Sequence, residues 1–366
     1  MAWSLKIFRF AGINVYLHWT FLLLLIWIVV ASLSSGQPTA EALMPAWVIL
    51  SLFGCVLLHE FGHALQARRY GITTERITLL PIGGVASLEK MPEKPGQELL
   101  VALAGPAVNL AIAAVLGAYI LASGISFKLF PLFEDISQVK DGAGFVAILL
   151  KMNAILFLFN LIPAFPMDGG RVLRALLSIN FNRAQATAIA ARIGQFLAMG
   201  FVLVGLFSPN FLLIFIGLFI YLGAGGEATY EAQRTALSNL TVEDVLMHQF
   251  TPLHAWETIG QATAILLDGQ EKEFIVTEDN QIIGTLSRDD IIKGLQLYGK
   301  EERIKQILNR DWVRLSPGMP LNEAYEEMSR KKLPICPVFD NGNLIGVLNQ
   351  ENIMEAIMIE SAKRNR

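Results

Sequence analysis

Five long stretches nearly free of charge restrict what this chain can fold into before any motif is considered. Tyr16 to Leu33, Leu43 to Leu58, Leu99 to Phe127 and Ile193 to Gly226 contain no Asp, Glu, Lys or Arg, and residues 143 to 165 contain only Lys151. A helix needs about 20 mostly apolar residues to cross the ~30 Å hydrocarbon layer of a bilayer. The last stretch is broken by Ser208-Pro209-Asn210 and has the length for two crossings joined by a tight turn. Six membrane helices are therefore expected, the second over about residues 43 to 67, with Lys151 snorkelling outward from the fourth. The first stretch is too long for a signal peptide and lacks a clear small-residue cleavage site, so it reads as a retained anchor. Arg68-Arg69 directly after the second stretch puts that end in the cytoplasm. Six crossings then place both termini there, with Lys6, Arg9, Lys90, Lys94, Arg171, Arg174 and Arg183 inside and Lys128 and Lys140 outside. The expected location is the cell membrane, multi-pass.

Composition narrows the class further. At 53% hydrophobic and 17% charged residues the chain is too apolar for an ordinary soluble protein. A net charge of -3 without a Lys/Arg cluster gives no footprint for nucleic acid. Cys55 and Cys336 lie far apart, one in an apolar stretch and one in the polar tail, and read as small buried residues rather than a disulfide.

Within this apolar setting stands His59-Glu60-Phe61-Gly62-His63. On a helix the two His are one turn apart on the same face, so their ring nitrogens can converge on one metal ion, with Glu60 placed as a general base rather than a ligand. An ionisable group inside a membrane stretch is costly and points to function. The fourth stretch runs into Asn160-Leu-Ile-Pro163-Ala-Phe-Pro166-Met-Asp168-Gly169-Gly170-Arg171, where two prolines force the helix to unwind. Asp168 at that break needs a partner: a cation shared with His59 and His63, a helix end to cap, or Arg171. Two His and one carboxylate with an open fourth position make a catalytic zinc set, one Zn2+ per chain.

Two further segments leave alternatives open. Ile77 to Leu88, with Pro81 and Gly83-Gly84, reads as short strands near the metal, either a plain hairpin or an edge around Ile82 to Leu88 that pairs with an extended peptide. Ala104-Gly105-Pro106 and Asn109 read as a close helix contact with an interhelical hydrogen bond. His18 reads either as an interfacial residue bonded to backbone or as a group at the active-site mouth.

After Glu227 the sequence turns polar, and an internal repeat at an offset of 62 residues begins. It pairs Val245-Leu246 with Ile307-Leu308, Ile259 with Leu321, Ala262 with Ala324, Ile282-Ile283-Gly284 with Leu344-Ile345-Gly346, and Asp290-Ile291 with Asn352-Ile353. Each copy reads helix, strand, strand, helix, and two such small copies should pack face to face. The expected fold is a multi-span α-helical membrane protein with a short β segment near the active site, followed by a soluble α+β module. Its parts are a membrane domain over 1–226, a linker over 227–240 and repeats over 241–300 and 301–366.

The motifs His59-Glu60-x-x-His63 and Asn160-x-x-Pro163…Asp168-Gly169, in that order among membrane spans, resemble the site-2 protease family of intramembrane zinc metalloproteases. The tail resembles a tandem pair of cystathionine-β-synthase (CBS) domains, through the repeat and Gly284-Thr-Leu-Ser287-Arg-Asp-Asp290. The second copy, Gly346-Val-Leu-Asn349-Gln-Glu-Asn352, lacks both the hydroxyl and the Asp. The resemblance implies that His59, His63 and Asp168 hold zinc, that Glu60 moves the proton and that Asn160 stabilises the oxyanion. It implies cleavage of a single-span membrane protein near the cytoplasmic leaflet, as in regulated intramembrane proteolysis. It also implies adenine nucleotide (ATP, ADP or AMP) at Ser287 and Asp290, and a homodimer through the CBS domains. The competing classes are a CBS-gated metal-ion channel or transporter and an inactive membrane scaffold.

Overall fold

In the computed structural model the described residues are 4–34, 42–81, 83–88, 91–125, 139, 141–269, 271–279 and 281–364, with side chains left aside at 85–88, 361 and 364. They form two compact units, divided between Thr229 and Tyr230.

The first unit begins with strands β1 (Ser4–Phe10) and β2 (Ile13–His18), followed by helices α1 (Trp19–Ser34) and α2 (Met44–Arg68). The expected first span thus starts later than its apolar composition suggested. The alternation Ile13-Asn14-Val15-Tyr16 favours a strand whose Ile13 and Val15 are buried against Phe61 and Ala64 of α2. After α2, Gly71 at φ +78° turns the chain into β3 (Thr74–Leu80) and β4 (Gly83–Leu88). The four strands form one sheet in the order β1-β2-β3-β4, with β2 parallel to β3 and the other pairs antiparallel. Strands were therefore correctly expected at 77–88, while Ile82 lies outside the described residues.

Next come α3 (Pro95–Ala122), α4 (Gly142–Asn160), the short α5 (Asp168–Leu177), α6 (Arg183–Phe207) and α7 (Phe211–Leu237). Asp141 caps α4 by accepting from Gly144 N, and Asn182 caps α6 by accepting from Gln185 N. α2, α3, α4, α6 and α7 are long and apolar enough to cross a membrane. α1 is equally apolar but has 16 residues, about 24 Å of helix, a little less than the hydrocarbon thickness. Large apolar side chains cover the outside of these helices: Phe207 is 87% exposed, Leu121 84% and Phe196 75%. Such a surface fits lipid, not water. Lys151, expected to reach outward, is instead 1% exposed.

The second unit holds a short 3-10 turn (Glu243–Val245), β5 (Leu253–His254), α8 (Ile259–Asp268), β6 (Glu273–Glu278), β7 (Gln281–Ser287) and α9 (Arg288–Tyr298). A second turn (Ile304–Gln306), α10 (Leu321–Lys331), β8 (Ile335–Asp340), β9 (Asn343–Asn349) and α11 (Gln350–Arg364) repeat the pattern. The 62-residue offset survives in three dimensions. Leu253 pairs in parallel with Val276, and Leu315 with Val338. The copies also exchange arms: Met247 bridges Val347 of the second copy, while Asn309 bridges Thr285 of the first. The repeated glycines are explained at these crossings. A Cβ on Gly284 would lie 2.6 Å from Asn309 O, and one on Gly346 would lie 2.5 Å from Met247 O. Ile275, Ile335 and Val347 close the face between the two copies.

Candidate metal centre

α2 presents His59 and His63 one turn apart, and α5 presents Asp168 as its first residue. The two Nε2 atoms are 3.0 Å apart, and Asp168 Oδ2 lies 3.2 Å from His59 Nε2 and 3.0 Å from His63 Nε2. All three residues are buried, and among the described residues they form the one cluster of this kind, its ligand atoms within 4.8 Å of one another.

Three features show that the pocket suits a metal ion. A Cβ on Gly105 would sit 2.1 Å from His63 Nε2 and 2.7 Å from His59 Nε2, so α3 offers bare backbone where the rings converge and leaves a hollow of atomic size. Each ring's other nitrogen is occupied: His59 Nδ1–H donates to Asn109 Oδ1, and His63 Nδ1–H donates to the Val101 carbonyl at 2.7 Å. That leaves both Nε2 lone pairs for the hollow, the usual orientation of metal-binding imidazoles. The donor set, two imidazoles and one carboxylate, is that of catalytic zinc.

Asp168 reaches the rings because the chain between α4 and α5 folds tightly. A Cβ on Gly169 would lie 2.2 Å from Ile162 O, and one on Gly170 would lie 2.5 Å from Phe165 N. Only glycines allow α5 to start there. Arg171 approaches the other carboxylate oxygen, Oδ1, at 3.9 Å, so the ion pair weighed from sequence exists beside the ring contacts and does not replace them. A buried ion network fixes α5 from behind. Arg174 Nε donates to Glu98 Oε1 at 2.8 Å and its Nη1 to Glu227 Oε1 at 2.6 Å, while Arg183 Nη1 donates to Glu98 Oε2 at 2.9 Å. Two carboxylates face two guanidiniums, so the desolvated charge is balanced, and loss of one member would leave a buried charge uncompensated.

Glu60 is half-buried on α2 beside strand β4. A Cβ on Gly84 would lie 2.8 Å from Glu60 Cγ and 3.2 Å from its Oε1, so the strand backbone passes directly against this carboxylate. β4 is the end strand of its sheet. Asn160 is half-buried, and its Nδ2 donates to Leu156 O at 3.0 Å, leaving one amide hydrogen free of that bond. His18 Nδ1 lies 2.7 Å from Thr20 Oγ1 and accepts from Thr20 N at 3.4 Å, the backbone bond expected for it. Ser287 and Asp290 form a reciprocal capping box at the start of α9, with Asp290 Oδ2 accepting from Ser287 N at 3.0 Å.

Several residues that build the site were not singled out by sequence reasoning. Gly105 and Asn109 were read as helix packing, and Asn153, Glu98 and Arg174 carried no assigned role. Asn109 does bond across helices, and its partners are His59 of α2 and Asn153 of α4. The signal was present, since a polar side chain in an uncharged membrane run needs a partner just as Asp168 does.

The comparisons with known proteins decide the family. A zinc metalloprotease of Methanocaldococcus jannaschii is 33% identical over 367 residues, covering 99% of this chain and 98% of that one. The model for peptidase family M50 matches residues 47–201. The chain belongs to peptidase family M50. A Synechocystis protein whose name carries the same activity is 29% identical over 344 residues, 90% of this chain and 86% of that one. A solved site-2 protease from Methanocaldococcus jannaschii is 38% identical, covering 62% of this chain and 95% of that one, with a TM-score of 0.43. The CBS-domain model matches residues 304–359. This M50 member is thus a membrane zinc metalloprotease of the site-2 type with a CBS module in its C-terminal unit.

Proposed function

We propose that His59, His63 and Asp168 are the zinc ligands and that Glu60 and Asn160 are catalytic. The carrying observation is the convergence of three buried ligand atoms on the hollow that Gly105 leaves open. Zinc held there supplies Lewis acidity toward water and the scissile carbonyl. Glu60 takes the proton of the attacking water and later gives it to the leaving amine. Asn160 turns its amide N–H toward the developing oxyanion. The substrate is a single-span membrane protein. Its helix must unwind to expose an amide, and the β4 backbone beside Glu60 offers a pairing edge for the extended segment. Arg68 and Arg69 at the end of α2 support an orientation with both termini in the cytoplasm and cleavage near that leaflet.

The residue ranges 1–226 for the protease, 227–240 for the linker and 241–300 and 301–366 for the CBS copies belong to the same proposal. The C-terminal unit binds adenine nucleotide and pairs with a second copy. A cleft of about 910 Å³ between its two copies, lined in part by Phe250, Lys272, Arg288 and Asn349, has room for one. Of this segment Arg288 lines the cleft, while Ser287 and Asp290, engaged with each other in the capping box, do not. Cleavage of single-span substrates in detergent tests the catalytic assignment: Glu60→Gln should retain zinc and lose proteolysis. Metal flux without Glu60-dependent proteolysis would favour the transporter reading. Calorimetry with ATP, ADP and AMP on the full chain tests the nucleotide, and Ser287→Ala with Asp290→Ala should remove any heat.

A further inference from the structure

Behind His59 runs a chain of buried amides for which catalysis has no direct use. Asn109 Oδ1 faces His59 Nδ1, Asn109 Nδ2 donates to Asn153 Oδ1 at 3.0 Å, and Asn153 Nδ2 donates to Leu149 O at 2.9 Å and points at Cys55 Sγ at 3.4 Å. Both Asn side chains belong to residues with no exposed surface, on α3 and α4 respectively. Two buried amides in a membrane bundle would be costly if they served packing alone, which a Leu or Ala fills without polar atoms.

The chain has a direction. Leu149 O is a backbone carbonyl and only accepts, so Asn153 must aim its NH2 group there and its Oδ1 at Asn109. Asn109 must then aim its NH2 at Asn153 and its Oδ1 at His59. An amide oxygen only accepts, so His59 must carry its proton on Nδ1, and Nε2 is left with a lone pair toward His63 and Asp168. His63 reaches the same state by a shorter route, donating directly to Val101 O. One ligand is thus set by backbone, which no substitution can remove, and the other by two side chains.

We propose that Asn109 and Asn153 are positioning residues that fix the tautomer and ring orientation of His59 for metal, with the α4 backbone as the end point of the relay. Without Asn153, Asn109 is free to turn its amide over and present NH2 to His59 Nδ1. The imidazole would then move its proton to Nε2 and lose the lone pair that binds. This inference rests on the zinc assignment made above and deepens it.

Zinc affinity of the purified full-length protein, measured by chelator competition alongside its melting temperature, tests the relay. Outer hydrogen-bond partners of metal ligands are typically worth 10–100-fold in affinity. Asn109→Leu, which removes the acceptor, should weaken zinc binding by about that factor. Asn109→Asp keeps an acceptor for Nδ1–H and should stay near the wild-type affinity. Asn153→Leu should weaken binding, though less than Asn109→Leu. Wild-type zinc affinity in both Leu variants, or the same loss in Asn109→Asp as in Asn109→Leu, overturns the proposal. A lowered melting temperature at unchanged affinity does so too, because it leaves only a structural role. If Asn109→Leu does not fold, Asn109→Asp and Asn153→Leu decide: the first near wild type and the second weakened supports the relay, and any other result overturns it. Wild-type protein that binds no zinc would instead strike the metal assignment itself.

Discussion

The two units solve opposite problems with the same backbone. In the first, the outside is apolar and much of what is buried is polar: Glu98, Asn109, Lys151, Asn153, Asp168, Arg174 and Thr187, besides the two histidines. In the second, the buried interior is almost wholly aliphatic and aromatic, built from clusters such as Leu315, Leu321, Val338 and Leu348 around the second copy and Leu253, Ile259, Phe274 and Leu286 around the first. Water drives apolar side chains together in the second unit, at about 25 cal/mol per Å². In lipid that drive between helices is missing, and close contact at small residues, hydrogen bonds and ion pairs hold the helices instead. The comparison teaches where function was affordable. Buried charge in the first unit is both the site and much of what holds the site in place.

If that contrast holds, substitutions of similar size should act very differently in the two units. The largest effect is expected at Gly105. Gly105→Ala puts a methyl group into the hollow between the histidine nitrogens, and stoichiometric zinc should be lost along with all proteolysis; metal analysis showing wild-type zinc in this variant would sink the geometry of the site. Next comes Glu98→Gln, which leaves Arg174 and Arg183 short of a buried counter-charge. Breaking a buried pair from one side costs about 3–5 kcal/mol, so the membrane unit should melt roughly 6–20 °C lower or fail to assemble, as thermal unfolding in detergent would record.

Gly346→Ala, in the second unit, presses a Cβ against the Met247 carbonyl. Overpacking of this kind costs about 1–3 kcal/mol, and the loss should be confined to that unit, with zinc content unchanged. The smallest effect is a pH dependence. Burial pushes the Cys336 thiol from its ordinary 9.0 up to about 11. Between these values the unfolded thiol ionises while the folded one does not, so the folded state is favoured fully below pH 9 and loses stability as pH rises toward 11, by about 1.4 kcal/mol at pH 10. Urea unfolding of the second unit, followed by maleimide labelling of Cys336 at pH 8 and pH 10, should show the decline, and Cys336→Ala should abolish it.

The sequence alone determined much of this protein. Five of the six expected spans, the strands over 77–88, the helix break before Asp168 and the 62-residue repeat were legible, because each is written in local periodicity, in the absence of charge or in helix-breaking residues. The pairing of His59 and His63 was legible too, since an α-helix fixes i and i+4 on one face. What remained hidden had long separations in the chain. Asp168 could be nominated as a ligand but not placed, because it stands 105 positions along the chain from His63. Tyr16 to His18, the second half of β2, was drawn into the first span, since a short strand and the start of an apolar helix look alike until β3 arrives to pair with it. Lys151 was sent outward for want of any sign that the bundle would enclose it.

The reason is physical. Local order follows from steric preference and solvent, which neighbouring residues share. Which glycine lies under which histidine, which carbonyl sets a ring's proton and which carboxylates meet Arg174 depend on helices distant in sequence coming to within a few ångströms of each other. Only the packed structure decides that.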